Sequence, residues 1–203
     1  MKILTVSDKV EPFLDRYFDY AKVPQADMIL SCGDLPPEYL TSLSTSMKAV
    51  VYYVRGNHDI RYAAKPPRGC VNLDGRLIRY RGVNILGLEG SRWYNGGPYQ
   101  YHERQMRHKI NCLRFQLWRR GGIDIVITHA PPRHVHDAED RCHKGFNSYM
   151  KLIKRYAPAY FIHGHIHKHF SNPDERITIV NQTKVINTCG YTSFEIDDDK
   201  FDR

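Results

Sequence analysis

Short apolar runs recur along this chain, and several of them stop at a turn that carries Asp, Asn or His. Helix-like stretches separate the first three runs, and this alternation of strand and helix is typical of an α/β fold. In such folds, ligands bind outside the carboxyl ends of the strands. The polar residues that follow the runs therefore mark the candidate functional site.

The apolar periodicity also predicts where the individual elements lie. The strand-like runs share β-branched and aromatic residues, and they cover Lys2–Val6, Met28–Ser31, Ala49–Val54, Arg76–Tyr80, Val83–Leu88, Ile123–Thr128, Tyr160–Ile162, Ile177–Val180, Lys184–Asn187 and Ser193–Ile196. The predicted helices cover Glu11–Ala21, Pro36–Met47, Tyr101–Arg120 and a last segment that ends at Tyr156.

The composition is that of a globular protein. Its 203 residues correspond to one domain spanning 1–203, and 41% hydrophobic residues are enough to bury a core. The sequence has no apolar run long enough to cross a membrane, and the start MKILTVSD is unlike a signal peptide. Five cysteines without a CxxC pair indicate neither a disulfide framework nor a cysteine zinc site, which favours a cytoplasmic location.

The formal net charge of +8 favours an anionic partner or substrate, or else simply a basic surface. The basic residues of the longest predicted helix are expected to form a solvated face, although a phosphate-rich ligand would also suit them. They are Arg104, Arg107, Lys109, Arg114, Arg119 and Arg120. A nucleic-acid partner is compatible with this charge, but the sequence has no nucleic-acid-binding motif.

Metal-capable side chains follow five of the apolar runs. They are Asp8, Asp34, the group Asn57-His58-Asp59, His129, and the pair His165 and His167. Such a mixture of carboxylate, amide and imidazole donors suits Mn, Fe, Zn, Co or Ni. In an extended segment alternate side chains share a face, so two histidines separated by one residue can serve adjacent metals. The sequence therefore predicts a metal site at the strand ends.

In their order and over nearly the whole chain, these residues resemble the calcineurin-like metallophosphoesterases. The specific segments are Gly56-Asn57-His58-Asp59 and Gly164-His165-Ile166-His167. Residues 128–132 and 87–105 are also similar to the small bacterial and archaeal phosphoesterases of that family. The resemblance implies a four-layer αββα sandwich, with two mixed β-sheets and two metals between their loops.

The resemblance also implies a role for each metal-capable residue. Asp34 would bridge both metals; Asn57, His129 and His165 would complete the second metal, and Asp8 and His167 would belong to the first. His58 would face the phosphate as proton donor or charge stabiliser, and Asp59 would orient it by accepting from its other ring nitrogen. The implied cofactors are divalent ions, with Mn²⁺ ahead of Fe, Zn, Co or Ni.

The sequence departs from the family pattern at the first motif, which reads Asp, any residue, His in the family. Val10 stands at the histidine position and cannot bind a metal. The first site therefore loses one ligand, and it is expected to bind its metal through the remaining three residues with an added water, to bind it weakly, or not to bind it. Glu11 or His163 would be replacement donors, and the Lys9 ammonium would be an alternative source of positive charge.

Two segments, residues 90–97 and 133–145, are expected to flank the metals and to contact the substrate. Arg92 and Arg133 could hold phosphate oxygens bidentately. Trp93 or Tyr94 could stack on a base or simply pack the loop, and His143 is a further candidate for a phosphate contact.

These observations predict a metal-dependent phosphoric ester hydrolase. The expected substrate is a small phosphorylated molecule, with a nucleotide or another phosphodiester favoured, and His58 is the expected general acid. The alternative is a catalytically weakened relative of the same fold that acts as a protein-binding module.

Overall fold

The computed structural model describes residues 1–15, 23–168 and 170–201. Its strands are β1 (Lys2–Ser7), β2 (Met28–Ser31), β3 (Val50–Tyr53), β4 (Cys70–Asn72), β5 (Arg76–Tyr80), β6 (Val83–Leu88), β7 (Ser91–Arg92), β8 (Gln100–Tyr101), β9 (Ile125–Thr128), β10 (Tyr160–His163), β11 (Ile177–Val180), β12 (Thr183–Asn187) and β13 (Gly190–Glu195). The α-helices are α1 (Pro37–Met47), α2 (Glu103–Cys112), α3 (Arg114–Arg119) and α4 (Asn147–Tyr156). Short 3₁₀ segments lie at Pro12–Leu14, Asp59–Ala63, Pro173–Arg176 and Asp198–Phe201.

The strands form two large mixed sheets and one small parallel pair, β7 and β8. The first sheet has the order β13-β1-β2-β3-β4, and it is parallel except at the β13 edge. The second has the order β11-β12-β10-β9-β6-β5, with antiparallel edges at β11 and β5. The carboxyl ends of the central parallel strands therefore lie together at one edge of each sheet.

Both faces of the central strands are buried, and successive side chains of a strand point to opposite faces. Ile3 lies in the core between the sheets, whereas its neighbour Leu4 packs in the core that includes α1. In the second sheet, Ile85 faces the first sheet and Leu86 packs against α2 and α4. The layers are thus α1, the two sheets, and then α2 to α4, which confirms the four-layer αββα sandwich.

Most of the predicted strands are confirmed, some with shifted bounds. The hairpin of β5 and β6 has the predicted bounds, and its turn residues Arg81 and Gly82 both have positive φ, as a tight two-residue hairpin requires. Among the described residues, none of the helices combines the length and the apolar content that a bilayer crossing needs.

Two predicted helices need correction. The helix expected over Tyr101–Arg120 is divided into α2 and α3 at Leu113, and Tyr101 lies in β8 instead. The backbone amide of His102 donates to the Gln105 side chain at 2.7 Å, which fixes the start of α2 at Glu103. The helix expected over Glu11–Ala21 begins with a 3₁₀ turn, and its part from residue 16 onward lies outside the described residues.

Candidate metal centre

The strand ends of the two sheets meet, and this brings the predicted metal ligands together. Asp8 and Asp34 follow β1 and β2 of the first sheet, and His129 and His165 follow β9 and β10 of the second. A hydrogen bond joins the sheets here, from Nδ1 of His129 to the carbonyl of Cys32 at 2.8 Å. The ligands thus come from sequence-distant loops that the sandwich holds in contact.

Asp34, Asn57, His129 and His165 form a compact donor group. One ligand atom each from Asp34, His129 and His165 lies within 4.8 Å of the other two. Nε2 of His129 is 3.2 Å from Oδ2 of Asp34 and 3.1 Å from Oδ1 of Asn57. Carboxylate, amide and imidazole donors in this arrangement fit a divalent transition metal.

The hydrogen bonds of the two histidines decide which ring nitrogen faces the donor group. A carbonyl can only accept, so Nδ1 of His129 donates to Cys32 and Nε2 is the atom turned to the group. In the same way, Nε2 of His165 donates to the carbonyl of Cys142 at 2.8 Å, which leaves Nδ1 as the acceptor. This is how proteins orient histidine ligands for a metal.

The charges of the group are strongly coupled. Burial alone would lower the pKa of His129, but attraction to the Asp34 carboxylate outweighs it and raises the pKa to about 9. Burial opposes ionisation of Asp34 as well, yet the neighbouring His129 holds the pKa of that carboxyl below its ordinary value. Burial lowers the pKa of His165 to about 4, with repulsion from His129 acting in the same direction. The oxygen acceptors around Nε2 of His129 therefore favour a positive charge at that point, which a metal ion would supply.

Asp8 and His167 form a neighbouring pair. Nε2 of His167 lies 3.3 Å from Oδ1 of Asp8, whose side chain is 1% exposed. Both Asp8 oxygens also accept from the backbone amide of His165 at 3.0 Å. The hydrogen bond to Asp8 raises the pKa of His167 above its usual value. Asp8, an expected first-site residue, is thus hydrogen-bonded to the loop that carries the second-site residue His165.

The structure argues against one replacement donor for the position of Val10, His163, and against Lys9 as the alternative source of positive charge. His163 is fully buried and has both ring nitrogens engaged, one with the Gly164 carbonyl and the other with His136. Lys9 is ion-paired with Glu11 at 3.2 Å, so its ammonium is neutralised locally. Val10 itself packs against the apolar core on the α1 side.

Two glycines let the ligands approach the backbone. A Cβ at Gly56 would overlap the Asp34 carboxylate and would lie 2.7 Å from the His129 ring. A Cβ at Gly164 would lie 2.6 Å from the Asp8 carboxylate. Asp8, Asp34 and His165 themselves have φ values of +63°, +56° and +67°, a region that non-glycine residues rarely adopt. Such strain is concentrated at functional sites.

His58 and Asp59 do not form the expected hydrogen bond. The Asp59 carboxylate instead accepts from the backbone amides of Asp34 at 2.8 Å, Gly56 at 2.7 Å and Leu35 at 3.2 Å. Burial, with repulsion from Asp34, raises the pKa of Asp59 to about 7. Asp59 therefore fixes the loops that carry the ligands, while the exposed His58 donates its backbone amide to Asp34 at 2.9 Å.

The loop after β6 differs from its predicted role. The Arg92 guanidinium is paired with Glu103 at 2.8 Å, so it is not free for a phosphate, and Trp93 stacks on His102. The Tyr94 hydroxyl accepts a hydrogen bond from the Asn57 amide at 3.1 Å. Among the three predicted substrate contacts of this loop, Tyr94 is thus the one that touches the donor group. The sequence carries no signal for that contact, because it depends on how the loop folds back.

Arg133 and His143 also have partners. Arg133 binds Asp137 and Glu139, each at 2.6 Å, and this pairing replaces the expected phosphate contact. The His143 ring contacts Asp140 at 3.0 Å and lies 5.2 Å from the His165 ring, centroid to centroid. His143 therefore borders the donor group, whereas Arg133 holds its own loop together.

Known proteins share the fold of this chain. A model of the calcineurin-like phosphoesterase family matches residues 1–169. The solved structure of TT1561 of Thermus thermophilus is similar, with a TM-score of 0.65 and 19% identity over 93% of this chain and 89% of that one. GAP50, the anchor in the inner membrane complex of Plasmodium, has a TM-score of 0.55 and 15% identity over 94% of this chain and 71% of that one. No curated protein matches the sequence. At these identities the two structures show a shared fold alone.

Proposed function

This chain belongs to the calcineurin-like phosphoesterase family, and on that premise we propose that it hydrolyses a phosphate ester with metal-activated water. The observation that carries the proposal is the convergence of Asp34, Asn57, His129 and His165 at the junction of the sheets. A divalent ion bound there supplies Lewis acidity and lowers the pKa of a coordinated water. The second-site residues would hold it, and the oriented imidazoles of His129 and His165 turn one ring nitrogen each toward the donor group.

The metal is proposed to be Mn²⁺, with Fe, Zn, Co or Ni as the alternatives that the donor set accommodates. Asp8, Asp34 and His167 would hold a second ion, and this site is weaker because Val10 offers no ligand. We therefore expect one tight site and one that fills only at higher metal concentration.

His58 is the proposed general acid. Its backbone is tied to the Asp34 carboxylate, and its side chain is exposed at the rim of the donor group. An imidazole there can protonate the oxygen of the leaving group or stabilise its developing charge. Asp59 acts through the backbone, since it holds the amides of Gly56 and Asp34.

The proposed substrate is a small phosphorylated molecule, with a nucleotide or another phosphodiester preferred. The net charge of +8 would steer an anion toward the protein. His143 at the border of the group is the proposed contact to the substrate phosphate, in place of the engaged Arg92 and Arg133. A cytoplasmic location is proposed from the cysteine content.

The second candidate function is a protein-binding module of the same fold. Val10 favours it, because the first site lacks a ligand and Lys9 is already paired with Glu11. The fold is also that of GAP50, an anchor protein, although at 15% identity. Binding without turnover is the outcome that this candidate predicts.

The deciding experiment measures metal content and hydrolysis on the same purified sample. Elemental analysis gives the bound metal, and a chromogenic phosphodiester and monoester are then tested with and without added Mn²⁺. The Asp34→Asn variant should lose both metal and turnover, whereas Asp140→Asn, an exposed carboxylate paired with His143, should keep its metal. Absence of both metal and turnover under every divalent ion would favour the binding module.

A further inference from the structure

A cationic groove lies between α2 and α4, on the outer helical layer. It is a cavity of about 160 Å³, and four of the residues that line it are positively charged: Arg107, Arg114, Lys151 and Arg155. Within the described part of the chain, none of these four side chains forms an ion pair with a carboxylate. Four uncompensated cations around one groove favour an anionic ligand.

Ser148 gives the groove an unsatisfied hydroxyl. Its side chain is 4% exposed and lines the same cavity. Its Oγ has no hydrogen-bond partner among the described residues. A buried hydroxyl without a partner costs free energy, and rotation of this side chain toward the groove would let it donate to a ligand oxygen.

An exposed aromatic pair lies next to the groove. Phe115 is 65% exposed and Trp118 is 76% exposed, and their ring centroids are 5.9 Å apart. These rings line a second cavity that shares Arg114, Arg155 and Tyr156 with the first. The cationic groove and the aromatic surface are therefore continuous.

We propose that this surface binds single-stranded nucleic acid, with a backbone phosphate in the groove and a base on the ring of Trp118. Proteins that bind single strands combine cations along the backbone with exposed aromatic rings under the bases. A concave groove with a hydroxyl inside accepts one phosphate, whereas a lipid surface would meet only the protruding side chains. The surface is separate from the metal centre and does not depend on the proposed hydrolysis.

Binding is tested by fluorescence anisotropy with labelled oligouridylate and oligothymidylate, over a series of salt concentrations and with EDTA present. The triple variant Arg107→Gln, Lys151→Gln, Arg155→Gln should bind about tenfold or more weakly, with a salt slope reduced by about three. The matched control Lys65→Gln, Arg68→Gln, Lys184→Gln removes the same charge elsewhere and should bind within about twofold of wild type. Equal loss in both triple variants would mean that net charge alone binds the strand, and this would overturn the proposal.

Two single variants test the specific contacts. Trp118→Ala should weaken binding about tenfold, because a base loses its stacking partner. Ser148→Ala should weaken binding several-fold while leaving the melting temperature unchanged or higher, since it removes a hydroxyl that the folded protein leaves unpaired. Unchanged affinity in both variants would overturn the proposal. So would equal affinity for a mononucleotide, or tighter binding to anionic phospholipid vesicles than to either oligonucleotide.

Discussion

The side-chain amide of Asn57 lies between two groups, with Nδ2 donating to the Tyr94 hydroxyl at 3.1 Å and Oδ1 at 3.1 Å from Nε2 of His129. Tyr94 therefore holds the amide in place at its nitrogen end, while the oxygen end faces His129. A residue expected to stack on a base instead positions a candidate ligand.

Tyr94→Phe should weaken metal binding roughly tenfold, the size of effect that follows loss of a group that orients a ligand. Calorimetric titration with Mn²⁺ measures it. Tyr99→Phe is the matched control, since its hydroxyl is in the same loop but contacts Arg55. Equal affinities for wild type and Tyr94→Phe would show that the amide is held by other contacts.

His58→Ala should lower turnover of a chromogenic phosphodiester by about 10²–10⁴-fold and leave the metal content intact, because the side chain is expected to act on the leaving group. Steady-state kinetics and elemental analysis on one preparation separate the two effects. His108→Ala removes an exposed imidazole from α2 and serves as control. Unchanged turnover in His58→Ala would remove His58 from the mechanism.

Gly56→Ala should abolish metal binding, because the new methyl group would overlap the Asp34 carboxylate and crowd the His129 ring. The protein should also unfold at lower temperature, since neither neighbour has space to move in a packed junction. Gly97→Ala is the control, as its Cβ would meet only the end of the flexible Gln100 side chain closely. Normal metal content in Gly56→Ala would contradict the geometry of the site.

Acid should destabilise the protein through His136 and His163. Nδ1 of His163 donates to the Gly164 carbonyl at 2.9 Å, so Nε2 of a neutral His163 accepts from Nδ1 of His136 at 2.8 Å. Nε2 of a neutral His136 then accepts from the Thr178 hydroxyl at 2.8 Å. Burial lowers the pKa of His136 to about 4, and burial holds the pKa of His163 well below its ordinary value.

The unfolded chain takes up these protons near pH 6.5, whereas the native state resists them to about pH 4 or below. The free energy of unfolding should therefore fall as the pH decreases through this window, by about 1.4 kcal/mol per pH unit for each group. Urea unfolding at a series of pH values measures the slope. His136→Gln should flatten it, with His108→Gln as control; an unaltered slope in His136→Gln would contradict the assignment.

The fold was largely predictable because its buried strands are visible in the sequence as runs of apolar residues. Runs such as residues 125–127 are apolar throughout, since both faces of the sheet are covered. The break at Leu113 was not predictable, because Met106, Ile110 and Leu117 continue the helical period across it and no glycine or proline marks it. The short pair β7 and β8 was missed for a related reason, as two residues carry no periodicity.

The candidate ligands were predictable because each follows an apolar strand. Their supporting contacts were not, since these involve backbone carbonyls such as those of Cys32 and Cys142, which any residue provides. The partners of Arg92 and Arg133 were missed because an arginine beside a site looks the same in a sequence whether or not a carboxylate already binds it.

The position of β1 between β2 and β13 has a consequence for biosynthesis. Ile3 pairs with Phe194, so residues 4–193 must be synthesised before β1 acquires its outer neighbour. At about 5–20 residues per second this interval is roughly 10–40 s, during which an apolar strand edge is open to other chains. The nascent protein should therefore need shielding by a chaperone until β13 is made.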